Sequence, residues 1–255
     1  MKERTTWTER GLGIFVVMTV IFSAFPLLII FPVSLNPAPM LAFPEKGLTL
    51  KWYQEASQFK SGFPAAFLNS FLIAAIATGS ALTMGSLAAW VLTRHPFRGS
   101  SLVEAFFLSP LVLARVVYGV AVLIVFSRMG LIRSVLGLII AHTVVVMPYV
   151  IRVVGSSLLG IRPALEEAAS LLGANHPRVM WHVTLPLVRP GLVAAGVFSF
   201  ISSIDEFTMT IFLVGPRVTT LPVQLFRHVE LVVDPTVAAV SIVMILISAM
   251  VIAVV

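Results

Sequence analysis

Glu166 to Gly191 reads EEAASLLGANHPRVMWHVTLPLVRPG, a polar island set between long apolar runs. Pro163 suits a first helical turn, where its missing N–H costs nothing, and Glu166 and Glu167 sit near the positive end of the helix dipole. Ala168 and Ala169 propagate the turn and Gly173 is a natural stop, so the island should open with a helix of about three turns. An irregular segment is expected around Asn175, His176 and Pro177, with a second break at Pro186. The apolar runs on either side are long enough to cross a bilayer, which makes the island a shaped surface on one side of a membrane.

Composition agrees. Of 255 residues 58% are hydrophobic and 11% charged, where a water-soluble domain carries about a quarter charged residues. Most of the surface should therefore meet lipid. The net charge of +6 reflects Lys and Arg flanking apolar runs, and no basic run with interleaved aromatics points to nucleic acid. With no cysteine, disulfides, thiolate metal sites and cysteine nucleophiles are excluded.

The chain 1–255 reads as one all-α transmembrane domain with six spans, over about 11–35, 67–93, 105–126, 134–151, 190–214 and 235–255, and with the island in a loop at 160–189. The first run is longer than a signal-peptide core and stays uncleaved in this reading. Between the first two spans, Gly47 to Tyr53 sets Trp52 and Tyr53 beside Lys51, either as an interface anchor or as a partner-docking surface. The last run ends without a charged flank, so either a tail continues beyond it or the helix ends bare.

With the N-terminus inside, the inner segments hold Lys2, Arg4, Arg10, Arg94, Arg98, Arg152, Arg162, Arg178 and Arg189, nine in all. The outer ones hold Lys46, Lys51, Lys60, Arg128, Arg133, Arg217 and Arg227, seven. The excess favours a cytoplasmic N-terminus only slightly.

Enzyme chemistry is missing. No Lys follows a Gly, so there is no Walker A phosphate loop, and neither H-E-x-x-H nor G-x-S-x-G occurs. No metal site is expected, and His142, inside the fourth span, reads as a packed, hydrogen-bonded helix residue rather than a ligand.

The island resembles the cytoplasmic EAA loop of the membrane subunits of binding-protein-dependent ABC importers, whose pattern is E-A-A, three residues, G, nine residues, I, one residue, L-P. Glu167, Ala168, Ala169, Gly173, Val183, Leu185 and Pro186 fall on those positions with the spacing intact, Val183 standing for the usual Ile. The resemblance implies a type I importer permease in a bacterial cytoplasmic (inner) membrane, N-terminus inside. Its implied partners are two ABC ATPase subunits, a second permease of related but different sequence, an extracytoplasmic binding protein and the lipid bilayer. No cofactor is expected on this chain, since ATP and Mg would sit on the ATPase. Glu166 and Glu167 would make polar contacts to that ATPase, Ala168, Ala169 and Gly173 would permit close backbone approach, and Val183, Leu185 and Pro186 would hold the loop against its own span.

The remaining candidates lie within the spans. Burying an ionisable group at bilayer depth costs at least about 2.5 kcal/mol, so Arg115, Asp205 and Glu206 should pair or face a water-filled path. On a continuous helix Asp205 and Glu206 point about 100° apart, so one faces the path and the other a neighbouring helix. With 1.5 Å of rise per residue, a third span entering near Leu102 and a fifth near Pro190 put Arg115 and Asp205 at similar depths, roughly 20 and 22 Å, so Arg115 can pair with Asp205 or Glu206 if the two helices are neighbours. Two carboxylates against one guanidinium leave a net charge of about minus one, which favours a small cationic or zwitterionic amine over a simple anion. Asp205, Glu206 and Phe207, followed by Gly215-Pro216 and Leu221-Pro222, are similar to the fifth span and following loop of polyamine-type (spermidine/putrescine) permeases, and Gly47 to Tyr53 together with Asn69-Ser70 to their outer entrance. Permeases for an aminophosphonate or ferric iron are the alternative. A secondary transporter would leave the island unexplained and would show an internal repeat that is absent.

Overall fold

A computed structural model describes residues 7–45, 47–216 and 218–253. Lys2, Arg4, Lys46 and Arg217, counted above for orientation, lie outside them, as do the side chain of Arg10 and residues 254–255 of the sixth apolar run. All regular structure among the described residues is helical. Where the sequence reads as one domain, the chain packs as two compact units, Met1–Ser61 with Arg227–Ile247, and Gly62–Phe226 with Ser248–Val255.

The first unit begins with α1 (Trp7–Ser34), 28 residues long, and between Leu12 and Leu28 its large apolar side chains, among them Phe15, Phe22 and Leu28, are exposed around the helix. A helix that is apolar all round needs lipid or protein around it. The chain then doubles back on Asn36, whose side-chain N–H₂ donates to the carbonyls of Met40 (3.1 Å) and Ala42 (2.9 Å). Helix α2 (Lys51–Ser57) brings Trp52 onto that turn, where its indole N–H donates to the Asn36 carbonyl at 2.6 Å. Tyr53 and Ser34 pair through their hydroxyls at 2.7 Å. Trp52 is therefore a buried staple of the loop, and its ring is not free to lie among headgroups or to meet a partner.

Three long helices make the core of the second unit: α3 (Phe63–Arg94), α6 (Val135–Leu159) and α9 (Leu185–Ile204). Helix α3 buries a stripe of small residues, Ala66, Ala74, Ala77, Ala81, Gly85 and Ala89, spaced so that they share one face. Between lipid-solvated helices dispersion replaces the hydrophobic effect, and small residues let backbones approach. Gly85 shows how close: a Cβ added there would lie 3.0 Å from the side chain of Val150 on α6. Val146, Val150, Val154 and Leu158 complete that contact from α6.

Two spans differ in course from the sequence expectation and two in length: the fourth, expected over 134–151, runs on to Leu159, and the sixth, expected over 235–255, is a 17-residue apolar helix, Thr236–Ile252. The single third span expected over 105–126 is two helices, α4 (Ser100–Val112) and α5 (Arg115–Met129), meeting at 107°. Pro110 removes a hydrogen bond from the last turn of α4, and Leu113 and Ala114 are extended, so the chain turns before Arg115. The fifth helix runs from the island to Ile204 and does not continue to 214. It stops because the Glu206 carboxylate accepts the N–H of Met209 at 2.9 Å, a local side-chain bond that competes with the helical one. Helix α5 packs against the stretch that follows, which holds a short 3-10 turn at Thr210–Phe212, with Gly119 so close to Met209 that an added Cβ would sit 3.1 Å from its Cα. The second unit's loop beyond it is tied to α3 by Asn69, whose side chain donates to the Thr219 carbonyl (3.1 Å), and by Ser70, whose hydroxyl accepts from the Leu221 N–H (2.8 Å) at the start of the chain's next helix.

Candidate functional site

The island folds into α7 (Pro163–Leu171), a cap, and α8 (His176–Val179). Pro163 occupies the first turn of α7, as its missing donor suggests. The end is a Schellman motif, in which Gly173 takes a left-handed φ of 88°, its N–H donates to the Ser170 carbonyl at 3.0 Å, and the Ala174 N–H donates to the Ala169 carbonyl at 3.1 Å. Two local expectations fail. His176 and Pro177 are not irregular, because the Asn175 side chain accepts the Arg178 N–H at 3.1 Å and caps a new helix. Pro186 breaks nothing: Met180–Thr184 form a wide π turn, the Leu185 N–H reaches back to the Met180 carbonyl, and α9 begins around the proline's missing donor.

The two glutamates separate. Glu167 is exposed, together with Ala168 and Gly173. Glu166 turns inward, where Thr184 donates its hydroxyl to one carboxylate oxygen at 2.7 Å and Arg94 Nε lies 3.2 Å from the other, an ion pair without hydrogen-bond geometry. Leu171 and Leu172 are 89% and 90% exposed, the most water-facing large apolar residues of the island. Leu185 packs against the core of the second unit and Val183 is half-buried, whereas Pro186 is exposed. A cleft of about 710 Å³ separates α7 from the end of α3, walled by Trp90, Arg94, His95, Glu167, Leu171 and His176. His95 bridges it, its ring 4.8 Å from that of Trp90 and 6.2 Å from that of His176.

Two of the three intramembrane charges are also brought together, though not on parallel unbroken helices. Arg115, in the first turn of α5, pairs with Glu206, and its other guanidinium nitrogen donates to the Tyr149 hydroxyl at 3.0 Å. A cation at a helix N-terminus opposes the dipole, so the Glu206 charge offsets two unfavourable placements at once. Both Glu206 oxygens are engaged, one by Arg115 and one by Met209, and the side chain is only 8% exposed. Asp205, at the end of α9, is exposed and makes no ion pair among the described residues. Behind the pair, His142 is buried with its ring nitrogens 2.9 Å from the Ser203 hydroxyl and 3.0 Å from that of Thr210, the packed, hydrogen-bonded role expected for it. Tyr149, Ser203 and Thr210 escape a sequence reading because hydroxyls in apolar helices carry no pattern. Arg94 and Thr184 escape it because their partner lies 72 and 18 positions away.

The arrangement is a helical membrane body with a capped, amphipathic surface helix on a loop and a charged break within its apolar spans. Residues 81–255 match the family model described as "Binding-protein-dependent transport system inner membrane component". The chain is 31% identical, over 85% of its length and 79% of the relative's, to the putrescine transport system permease protein PotI of Escherichia coli (strain K12). It is 30% identical, over 80% of its length and 76% of the relative's, to the spermidine/putrescine transport system permease protein PotC of the same strain. In fold it matches a chain from the crystal structure of a bacterial ABC transporter involved in the import of the acidic polysaccharide alginate, with TM-score 0.70, 17% identity and coverage of 99% and 98% of the two chains. A family model over most of the chain, two relatives spanning most of theirs and a shared all-helical importer fold lead to one assignment: the protein belongs to the family of inner-membrane components of binding-protein-dependent transport systems, and is a membrane permease of the ABC importer type.

Proposed function

We propose that this chain forms half of the path by which an ATP-driven importer moves a small cationic or zwitterionic amine of the polyamine type across the bacterial inner membrane. The observation that carries the substrate class is Asp205. Arg115 and Glu206 neutralise one another, so the charge the break offers to a passing solute is the exposed Asp205 carboxylate. The guanidinium that would repel a cation is already engaged, and the names of PotI and PotC support the same class. ATP and Mg belong to a separate ATPase pair, reached through α7, with Glu167, Ala168, Ala169, Gly173 and the exposed leucines as the docking face. A second, related permease would complete the path, and an extracytoplasmic binding protein would deliver the solute.

Uptake of labelled putrescine at matched membrane expression tests the role of Asp205. Asp205→Asn removes one charged contact, worth about 1.5–3 kcal/mol, so uptake at low concentration should fall about tenfold or more. Normal uptake by that variant would take Asp205 out of the path.

Orientation has its own test, eased by the lack of native cysteine. A cysteine replacing exposed Arg178 should react with a membrane-impermeant maleimide only from the cytoplasmic side, and one replacing exposed Gln58 only from outside. The reverse pattern would put α7 on the wrong side for an ATPase.

A further inference from the structure

We infer that Arg94, Glu166 and Thr184 form a brace through which α7 moves as one body with α3 and α9, with Arg94 as its positioning residue; this rests on the reading of α7 as the ATPase-docking helix. Helix α7 has nine residues and none of them is buried, so apolar packing does not hold it. Ile161, two residues before it, is seated in the core, but Arg162 is exposed and Gly173 stands after it in a left-handed conformation, and a push on its exposed face would otherwise swing α7 between those two points. Three polar contacts oppose that swing. Arg94 is the last residue of α3, and one of its terminal nitrogens donates to the Ile161 carbonyl at 3.2 Å, immediately before α7, while its Nε faces Glu166 in the first turn. Thr184 closes the π turn at the entry to α9 and sends its hydroxyl to the same carboxylate at 2.7 Å.

The burial of this cluster decides its worth. Thr184 is buried, and the Arg94 and Glu166 side chains are only 12% and 20% exposed. A pair so far removed from water is weakly screened by salt and is costly to leave half-made. A threonine within a helix ordinarily returns its hydroxyl to a carbonyl one turn back, and here it bonds to a different element. Glu166 thus links the core helices to the docking helix, and Glu167 beside it stays free for the partner.

The test uses the assembled complex, with the chain, its partner permease and its ATPase purified together. Spin labels on Val91→Cys in α3 and Ser170→Cys in α7 report their separation by double electron–electron resonance, without nucleotide and with ATP-vanadate trapped. The braced chain should give one narrow distance in both states. Arg94→Gln should broaden it and make it depend on nucleotide, Arg94→Lys should recover part of the narrow distribution, and Arg94→Gln/Glu166→Gln should be no broader than either single variant, as residues acting as a unit require. Thr184→Val, which leaves both charges in place, should loosen α7 in the same direction. With ATPase binding and hydrolysis retained, putrescine imported per ATP hydrolysed should fall about tenfold in Arg94→Gln, the scale of one lost charge-assisted bond. An unchanged narrow distance in Arg94→Gln and Thr184→Val, or additive broadening in the double variant, would overturn the brace while leaving the docking reading intact. Failure of the ATPase to co-purify even with the unsubstituted chain would overturn the docking reading, and the brace's coupling role with it.

Discussion

Replacing Leu171 and Leu172 together by Asp should abolish co-purification of the ATPase and leave the membrane body folded. Both side chains are almost fully exposed beside the Gly173 cap, and neither contributes to the core of the chain. A leucine that goes from exposed to fully buried contributes about 1.5–3 kcal/mol. If both become buried in a partner cleft, their loss weakens docking by more than about a hundredfold, before the cost of placing two carboxylates there. Glu167→Lys should act in the same direction with a smaller effect, since an exposed charge contact is worth about 1 kcal/mol or less. Pull-down from detergent-solubilised membranes measures both, and retention of the ATPase by the double variant would remove the leucines from the docking face.

Arg115→Gln should do the opposite, damaging the fold of the membrane body and sparing the docking surface. It strips the partner from Glu206, which is held at the turn after α9 by the Met209 N–H and stays buried. Removing one member of a buried ion pair costs about 3–5 kcal/mol, because the other charge is left without compensation. Thermal unfolding in detergent should therefore show Arg115→Gln as the least stable of the three charge variants. Glu206→Gln should come next, since the Arg115 it strands is 31% exposed and keeps Tyr149. Asp205→Asn should match the unsubstituted chain, because its side chain is exposed. Equal stability of all three would mean that the pair contributes nothing to the fold.

The contrast between those carboxylates marks what a sequence can and cannot convey. Composition and run length are enough to require helices in a membrane, and the cap at Gly173 was legible because a left-handed stop after an Ala-rich turn is a local matter. That Asp205 and Glu206 part company was legible too, but for the wrong reason: they separate because α9 ends at Ile204, not because a continuous helix turns 100° between them. The break at Leu113 and Ala114 hides in an apolar run, since membrane helices tolerate proline and Pro110 alone does not say that the chain turns three residues later. Pro186 misled in the other direction, because a π turn five residues long absorbs the missing donor and leaves no trace in composition. Sequence alone keeps Glu166 with its neighbour on the partner-facing side, because nothing local points to Arg94. Side-chain pairs across 72 positions are decided by tertiary packing, and helix periodicity does not reach them.

ATP-driven accumulation of labelled putrescine in proteoliposomes, holding this chain with its permease partner and ATPase and supplied with the binding protein, tests the account most directly. Accumulation should require ATP, be competed by other small cationic amines and not by oxyanions, and fall about tenfold or more in Asp205→Asn while ATPase assembly is kept. Accumulation of an oxyanion in place of the amine, or amine uptake indifferent to Asp205, would contradict the account.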